Sequence, residues 1–343
     1  MAPESKPTRL RTGKIPIEVL ESTVFRMTGA RSQDLVAPPR AGLDFAAVRL
    51  GSGFVVVSAD PITGISEDIG RYAMKVSAND VATSGNRPQF AVSVILLPEG
   101  SSVFDVRRVA KQMHVSATES GIAIVGGHTE VTPGLKHPIV VVTVFSFVDR
   151  YVTAGDAEDG DVILMTKTAG LEGTSELARE RRLSGVLPAA ILKKARDQIK
   201  QIDVTEEAVV AFHTGKVHAM HDCTEGGVLG AVFEMSLASN LGFRLDEMAV
   251  PVSRVTRTIC RELSVDPLRL IGSGSLLISV PREGQEEVEK ALRRRCKVTP
   301  IGEFKKGTRT IQTKDGSERV VKEAPEDELW RMLSRSSRRR NRL

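Results

Sequence analysis

Four acidic segments are the residues of this chain best suited to chemistry: Gly42–Val48 with Asp44, Ser58–Gly64 with Asp60, Asn79-Asp80, and His221–Gly227 with Asp222. Three of the four aspartates stand beside an apolar run, at a strand end or where a helix should begin. A carboxylate on the rim of an apolar core is costly to desolvate unless something pairs with it. Mg²⁺ takes its oxygen ligands from one or two carboxylates together with the phosphates of a nucleotide. Acids converging on one cleft therefore point to Mg²⁺-phosphate chemistry, with Asp44, Asp60, Asp80 and Asp222 as the candidate ligands.

Two glycine-rich stretches add to this. Gly126-Gly127-His128-Thr129-Glu130 follows an apolar run, where paired glycines let backbone N–H groups approach a phosphate. The same residues also suit a tight turn into the next strand. Asp222-Cys223-Thr224-Glu225-Gly226-Gly227 opens a helix, so Asp222 is either an N-cap or a metal ligand at a helix N-terminus that favours phosphate. His218, His221 and Cys223 are spaced like part of a zinc site, but no second pair of ligands completes it. Gly272-Ser273-Gly274-Ser275 is a further turn or phosphate contact. No Gly-x-x-x-x-Gly-Lys-Ser/Thr occurs, and no Gly-x-Gly-x-x-Gly follows a strand, so a nucleotide needs another cradle.

The elements that position these residues follow from periodicity. Helical spacing is expected over 15–27, 68–85 and 103–120, the last ended by Gly121 as a C-cap. Strands are expected at Phe54–Ser58, Phe90–Leu97, Ile122–Val125 and Ile139–Val148. The polar, Gly-rich stretch 153–161 marks a domain junction. After it come strands at Val162–Thr166 and Gly274–Val280. Helices are expected near 174–183, 188–199, 204–214, after Gly227, at 284–295 and at 325–334. The predicted organisation is a mobile arm (1–14), an α+β domain (15–152), a second α+β domain (153–333) and a basic disordered tail (334–343).

At 343 residues the chain exceeds a single typical core. The net charge of +5 comes from Arg335, Arg338, Arg339, Arg340 and Arg342, without which the charges balance. A neutral body argues against a phosphate-tracking surface for nucleic acid. Cys223, Cys260 and Cys296 are distant and odd in number, which argues against a disulfide framework. No apolar run is long enough to span a membrane, and a cytoplasmic protein is expected.

Taken in order, the segments resemble the superfamily of aminoimidazole ribonucleotide (AIR) synthase, or PurM. It also holds selenophosphate synthetase, thiamine monophosphate kinase and the hydrogenase-maturation protein HypE. The resemblance runs from about residue 15 to residue 305 through Gly42–Val48, Ser58–Gly64, Asn79–Pro88, Gly126–Gly134, Gly160–Thr174, His218–Gly230 and Pro267–Leu277. It looks nearest to HypE-like proteins. It implies a two-domain PurM-like fold: an N-terminal sheet that pairs with its copy into a barrel, and a sandwich-like α+β C-terminal domain. A homodimer with ATP near the subunit interface is implied, using ATP and Mg²⁺ on a small-molecule acceptor. Carried over by position, Asp44, Asp60, Asp80 and Asp222 hold metal and phosphate, with Asp80, Asp222 and His128 catalytic. Asn79, Gly126, Gly127, Thr129 and Lys167 serve the nucleotide, with Glu172 a further candidate. The expected reaction is phosphorylation of an amide or carbonyl oxygen. The alternatives are a small-metabolite kinase or a non-catalytic nucleotide-binding scaffold. The sequence departs from HypE in ending Asn341-Arg342-Leu343 without a terminal thiol, from selenophosphate synthetase in its cysteine positions, and from thiamine monophosphate kinase in having Gly-Gly-His-Thr.

Overall fold

The computed structural model describes residues 10, 12–63 and 67–332. The expected basic tail and most of the expected mobile arm lie outside the described residues, as does Gly64 at the end of the second acidic segment.

The first half holds helices α1 (Ile17–Ser22), α2 (Ile69–Ala82) and α3 (Val103–Ser120). Its strands are β1 (Leu35–Ala37), β2 (Ala46–Leu50), β3 (Gly53–Thr63), β4 (Phe90–Pro98), β5 (Ala123–Thr132) and β6 (Ile139–Val148). They form one sheet in the order β1-β2-β3-β6-β4-β5. Period-2 alternation splits its residues between two faces. Val56, Val140, Val142, Val144, Ala91 and Ile95 pack against Ile69, Ala73, Val109 and Met113 of α2 and α3. The opposite face carries Val55, Val57, Val141, Phe145, Phe147, Phe90, Val92 and Val94, brought side by side by the strand register. Phe147 on that face is 49% exposed, and among the described residues no helix covers it.

α3 follows its sequence closely. A capping box of Ser102 and Asp105 starts it, and Gly121 in the left-handed conformation ends it. Three expectations need correction. The helix expected over 15–27 is only α1 and a single 3₁₀ turn at Val24–Arg26. β3 runs on through Asp60 and Pro61 to Thr63 rather than ending at Ser58. β2 pairs it only at Gly53–Val57, so Pro61 sits on a free edge, where a missing N–H costs no ladder bond. The Gly-Gly-His-Thr-Glu stretch is neither a turn nor a loop. It lies within β5, which continues to Thr132 past a bulge opposite Ala91 and Val92.

The second half has strands β7 (Val162–Thr166), β8 (Ala219–Asp222), β9 (Gly242–Asp246), β10 (Leu276–Val280), β11 (Val298–Lys305), β12 (Arg309–Gln312) and β13 (Glu318–Val320). Their order is β13-β12-β9-β11-β7-β10-β8. Around them lie α4 (Leu171–Leu177), α5 (Arg181–Ser184), α6 (Ala189–Arg196), α7 (Thr205–His213), α8 (Gly227–Ala238), α9 (Arg254–Leu263) and α10 (Gln285–Leu292). The molecule is thus a mixed α+β protein with two sheet-containing domains. α2 is the wedge between them: it packs on β3, β6 and α3 on one side and on α7 and β8 on the other. That double contact explains why nearly every residue of α2 is buried, polar ones included.

Candidate active site at the domain junction

Asp80 comes from the last turn of α2, Asp60 from β3, Asp44 from the loop before β2 and Asp222 from the end of β8. All four meet where the two domains touch. Register places Asp60 opposite Val142, on the face covered by α2, and Ser58 two residues earlier donates a 2.7 Å hydrogen bond to Asp80 Oδ2. Glycine sets the approach of Asp44: Gly42 has φ +80°, and a Cβ there would stand 2.2 Å from the Glu234 carbonyl of α8. Asp222 is reached through β8, whose pairing sets Asp222 opposite Leu276.

His221 lies among these acids. Its Nδ1 is 3.0 Å from Asp44 Oδ1 and 2.7 Å from the Asp222 carbonyl. Its Nε2 is 3.2 Å from Glu234 Oε2, and Glu234 in turn holds the Lys14 ammonium at 2.5 Å. The order Lys14–Glu234–His221–Asp44 alternates in charge. Burial opposes a charged His221, but Asp44 and Glu234 on either side outweigh it and push its pKa up to about 9. Burial would likewise raise Glu234, yet Lys14 and His221 hold it down at about 2. Asp44 is raised to about 6 by burial, against the pull of His221.

Burial and then Asp60 raise Asp80 well above the ordinary range, and burial and then Asp44 do the same to Asp222. His221 opposes the shift of Asp222 only in part. Both carboxylate oxygens of Asp222, and Oδ2 of Asp44, are buried without a hydrogen-bond partner. Ligand atoms of Asp44, His221 and Asp222 lie within 4.8 Å of one another. Unpartnered carboxylate oxygens that repel one another in a buried pocket fit a hard divalent cation, which supplies the missing positive charge.

The N-cap reading of Asp222 does not hold. α8 starts only at Gly227 with Gly226 as its N-cap, and it is Asp327 Oδ2 that accepts the Gly226 N–H at 2.7 Å. Among the other expected residues, Asn79 is fully buried. Its amide donates to the Ile202 carbonyl at 2.7 Å and its Oδ1 accepts from Val204 N–H at 3.0 Å. It ties α2 to the second domain. Lys167, expected to serve nucleotide, binds the carbonyls of Gln201 and Asp203 with its ammonium and pairs with Glu207 at 2.7 Å. Glu172 is buried with Oε2 unpartnered and stands apart from the four aspartates, near Ser273 and Glu176.

Gly126, Gly127, His128 and Thr129 are not brought to the aspartates within one chain. Asp60, Val142, Ser93 and Gly127 lie in one row across β3, β6, β4 and β5. Three strand spacings of about 4.8 Å put β5 roughly 14 Å from β3. His128 pairs with Val94, on the uncovered face opposite to that of Asp60. Among the described residues its exposed ring meets only Glu130, at 3.1 Å. Sequence reasoning missed Glu234 and Lys14, which no local motif links to an acid cluster. His221 carries a signal, since it adjoins Asp222, but its spacing with His218 and Cys223 suggests a zinc ligand rather than a bridge between acids.

Comparison with known proteins agrees with this architecture. The AIR synthase related protein family matches in two parts, its N-terminal domain over residues 42–148 and its C-terminal domain over residues 158–314. The chain belongs to the AIR synthase related family. Carbamoyl dehydratase HypE of Escherichia coli is 31% identical over 241 residues, covering 68% of each chain. A putative hydrogenase expression/formation protein of Methanocaldococcus jannaschii is 28% identical over 258 residues, covering 73% of this chain and 75% of the relative. Among solved structures, HypE in complex with ATP superposes with a TM-score of 0.70 at 23% identity, over 93% of this chain and 98% of that one. Thiamine monophosphate kinase from Aquifex aeolicus gives 0.66 at 18% identity, over 88% of this chain and 97% of that one. At these identities the structural likeness speaks to the fold of this AIR synthase related protein. Among the described residues no helix is long and apolar enough to cross a membrane.

Proposed function

We propose that this AIR synthase related protein is a Mg²⁺- and ATP-dependent enzyme that phosphorylates an amide or carbonyl oxygen of a small substrate. The observation that carries the reading is the meeting of Asp44, Asp60, Asp80 and Asp222 at the domain junction, with buried carboxylate oxygens left unpartnered. These four would hold Mg²⁺, which supplies charge neutralisation to the phosphates of ATP. Ser58 orients Asp80. His221, clamped between Asp44 and Glu234, fixes the position of Asp44 from one side. Asn79 sets α2 against the second domain, so that Asp80 and Asp222 face one site. A phosphorylated amide oxygen leaves far more readily than hydroxide, which is how ATP would drive loss of water from an amide. Relatives named carbamoyl dehydratase and a HypE structure named for its ATP complex support this class of reaction.

The uncovered apolar face of the first sheet supports a homodimer. Val55, Val57, Phe90, Phe145 and Phe147 form a patch that a second copy would bury, since exposed apolar areas of this kind mark interaction sites. All of β5 from Ala123 to Val131 is exposed at the sheet edge. Any part played by Gly126, Gly127, His128 and Thr129 at a nucleotide site would then belong to the assembled dimer.

Titration calorimetry of Mg-ATP into wild-type protein and D80N tests the reading, with product analysis beside it. Saturable binding at one site per chain that D80N weakens at least 10-fold is the expected result. ADP with free phosphate marks oxygen activation, whereas a stable phosphorylated metabolite marks a kinase. Wild-type affinity and turnover in D80N would remove Asp80 from the mechanism.

A further inference from the structure

Away from the aspartates, a concavity of about 540 Å³ opens along α9. Arg254, Arg257, Arg261 and Lys314 line it together with Thr258 and Cys260, and no carboxylate is among its lining residues. The three arginines recur at positions i, i+3 and i+7 of α9 and so share one face. Lys314 comes from the turn between β12 and β13. Nearby acids compensate Lys314 but leave the three arginines largely unpaired. Glu262 reaches Arg261 only at 3.8 Å, Glu247 pairs with Lys314 at 3.2 Å, and Asp266 is turned to the Leu268 N–H at 3.0 Å. Among the described residues no carboxylate pairs with Arg254 or Arg257, and Arg257 Nε donates only to the Val252 carbonyl.

The placement runs against what helix stability alone favours. Arg254 and Arg257 stand in the first turn of α9, where the positive end of the helix dipole disfavours cations, and no acid occupies that turn. Local preference therefore does not account for them, whereas a bound anion would. Guanidinium forks match phosphate oxygens in pairs. The volume lies within the range of small-ligand sites, and its charged lining comes from one helix and one short turn, with Val265 and Pro267 of the stretch after α9 completing it. An extended polyanion would need a longer charged track.

We infer that the α9 concavity is a binding site for a small, multiply charged phosphate compound, separate from the domain-junction acids. Inorganic tripolyphosphate is the probe, titrated by calorimetry in EDTA so that metal-dependent binding at the aspartates is silent. One site per chain is expected in wild-type protein and in D80N. R254Q/R257Q should weaken it about 100-fold, the loss of two charge-assisted hydrogen bonds. R254K/R257K, which keeps the charge but not the forks, should recover only part of the affinity. Circular dichroism checks that each variant is folded. No binding to wild-type protein would overturn the inference, as would equal binding to R254Q/R257Q or loss of binding in D80N. Arginine-dependent binding of RNA or polyglutamate without tripolyphosphate binding would also overturn it, by assigning the face to a macromolecule.

Discussion

Asp222→Asn separates a site built for a cation from an ordinary buried acid. Asp222 is fully buried, with both oxygens unpartnered and Asp44 and Asp60 repelling it. Without a cation it is held toward its protonated form, so folding at neutral pH takes up a proton that the unfolded chain releases. For an aspartate of ordinary pKa ~3.9 the ceiling of that cost at pH 7 is about 4 kcal/mol. His221, 4.0 Å away, opposes the shift, so the net cost lies below that ceiling. The isosteric amide carries no such cost. With about 2.1 cal/mol/K of unfolding entropy per residue, each ~2 kcal/mol of relief raises the midpoint of a chain this size by about 3 °C. Differential scanning calorimetry in EDTA at pH 7 should therefore show D222N melting above wild type. In Mg-ATP the order should reverse, because wild type gains ligand stabilisation and the variant does not. A variant that melts at or below wild type in EDTA, or that keeps the full Mg-ATP shift, would refute the reasoning.

The remaining expectations concern the supports of the site. Lys75 is buried with its ammonium on Asp203 at 2.5 Å and Ser120 at 2.8 Å; K75M should cost about 2 kcal/mol in urea denaturation, reduced from the fully buried case because Asp203 is partly exposed. G42A should weaken Mg-ATP binding by displacing Asp44, whereas G100A, with φ +86° but open space around it, should cost about 1 kcal/mol of stability and leave binding intact. Burial raises Glu172 to about 7, so the folded protein holds that proton more tightly than the unfolded chain does. Its contribution is fully present below pH ~4.5 and is lost as pH rises to about 7. Measured by denaturation from pH 5 to 8, wild type should lose about 2–3 kcal/mol relative to E172Q.

The sequence exposed the parts of the fold governed by local chemistry. Ser102, Asp105 and Gly121 mark both ends of α3, and the β-branched apolar run of β6 marks a strand. The aspartates were legible because acids beside apolar runs are rare without a reason. What stayed hidden depends on partners distant in the chain. Pro61 reads as a strand breaker until β2 is seen to stop short of it. Gly126-Gly127 reads as a turn because nothing local reports that β4 continues alongside. Glu234 looks like an ordinary helix residue, and only the packing of α8 on the loop at Gly42 sets it between Lys14 and His221. Lys167 shows the same dependence: the resemblance points it at nucleotide, and only the fold reveals that the 201–207 stretch holds its ammonium.

The burial of α2 on every side has a consequence for the order of folding. During synthesis the first sheet is complete by Val148, before β8, α7 and the Ile202–Val204 backbone exist. Until they arrive, Tyr72, Lys75, Asn79 and Asp80 face water on a helix whose other side already lies on the sheet. N-terminal domains generally form first, so this one would wait with its uncovered apolar face and half of α2 both exposed. A fragment ending at residue 152 is expected to exchange its α2 amides quickly and to aggregate, which hydrogen exchange and light scattering would register. Closing the second domain onto α2 buries Lys75 and Asn79 and, in the same step, brings Asp222 to Asp80. Nascent chains would thus become competent for metal only once their last long-range contacts are made.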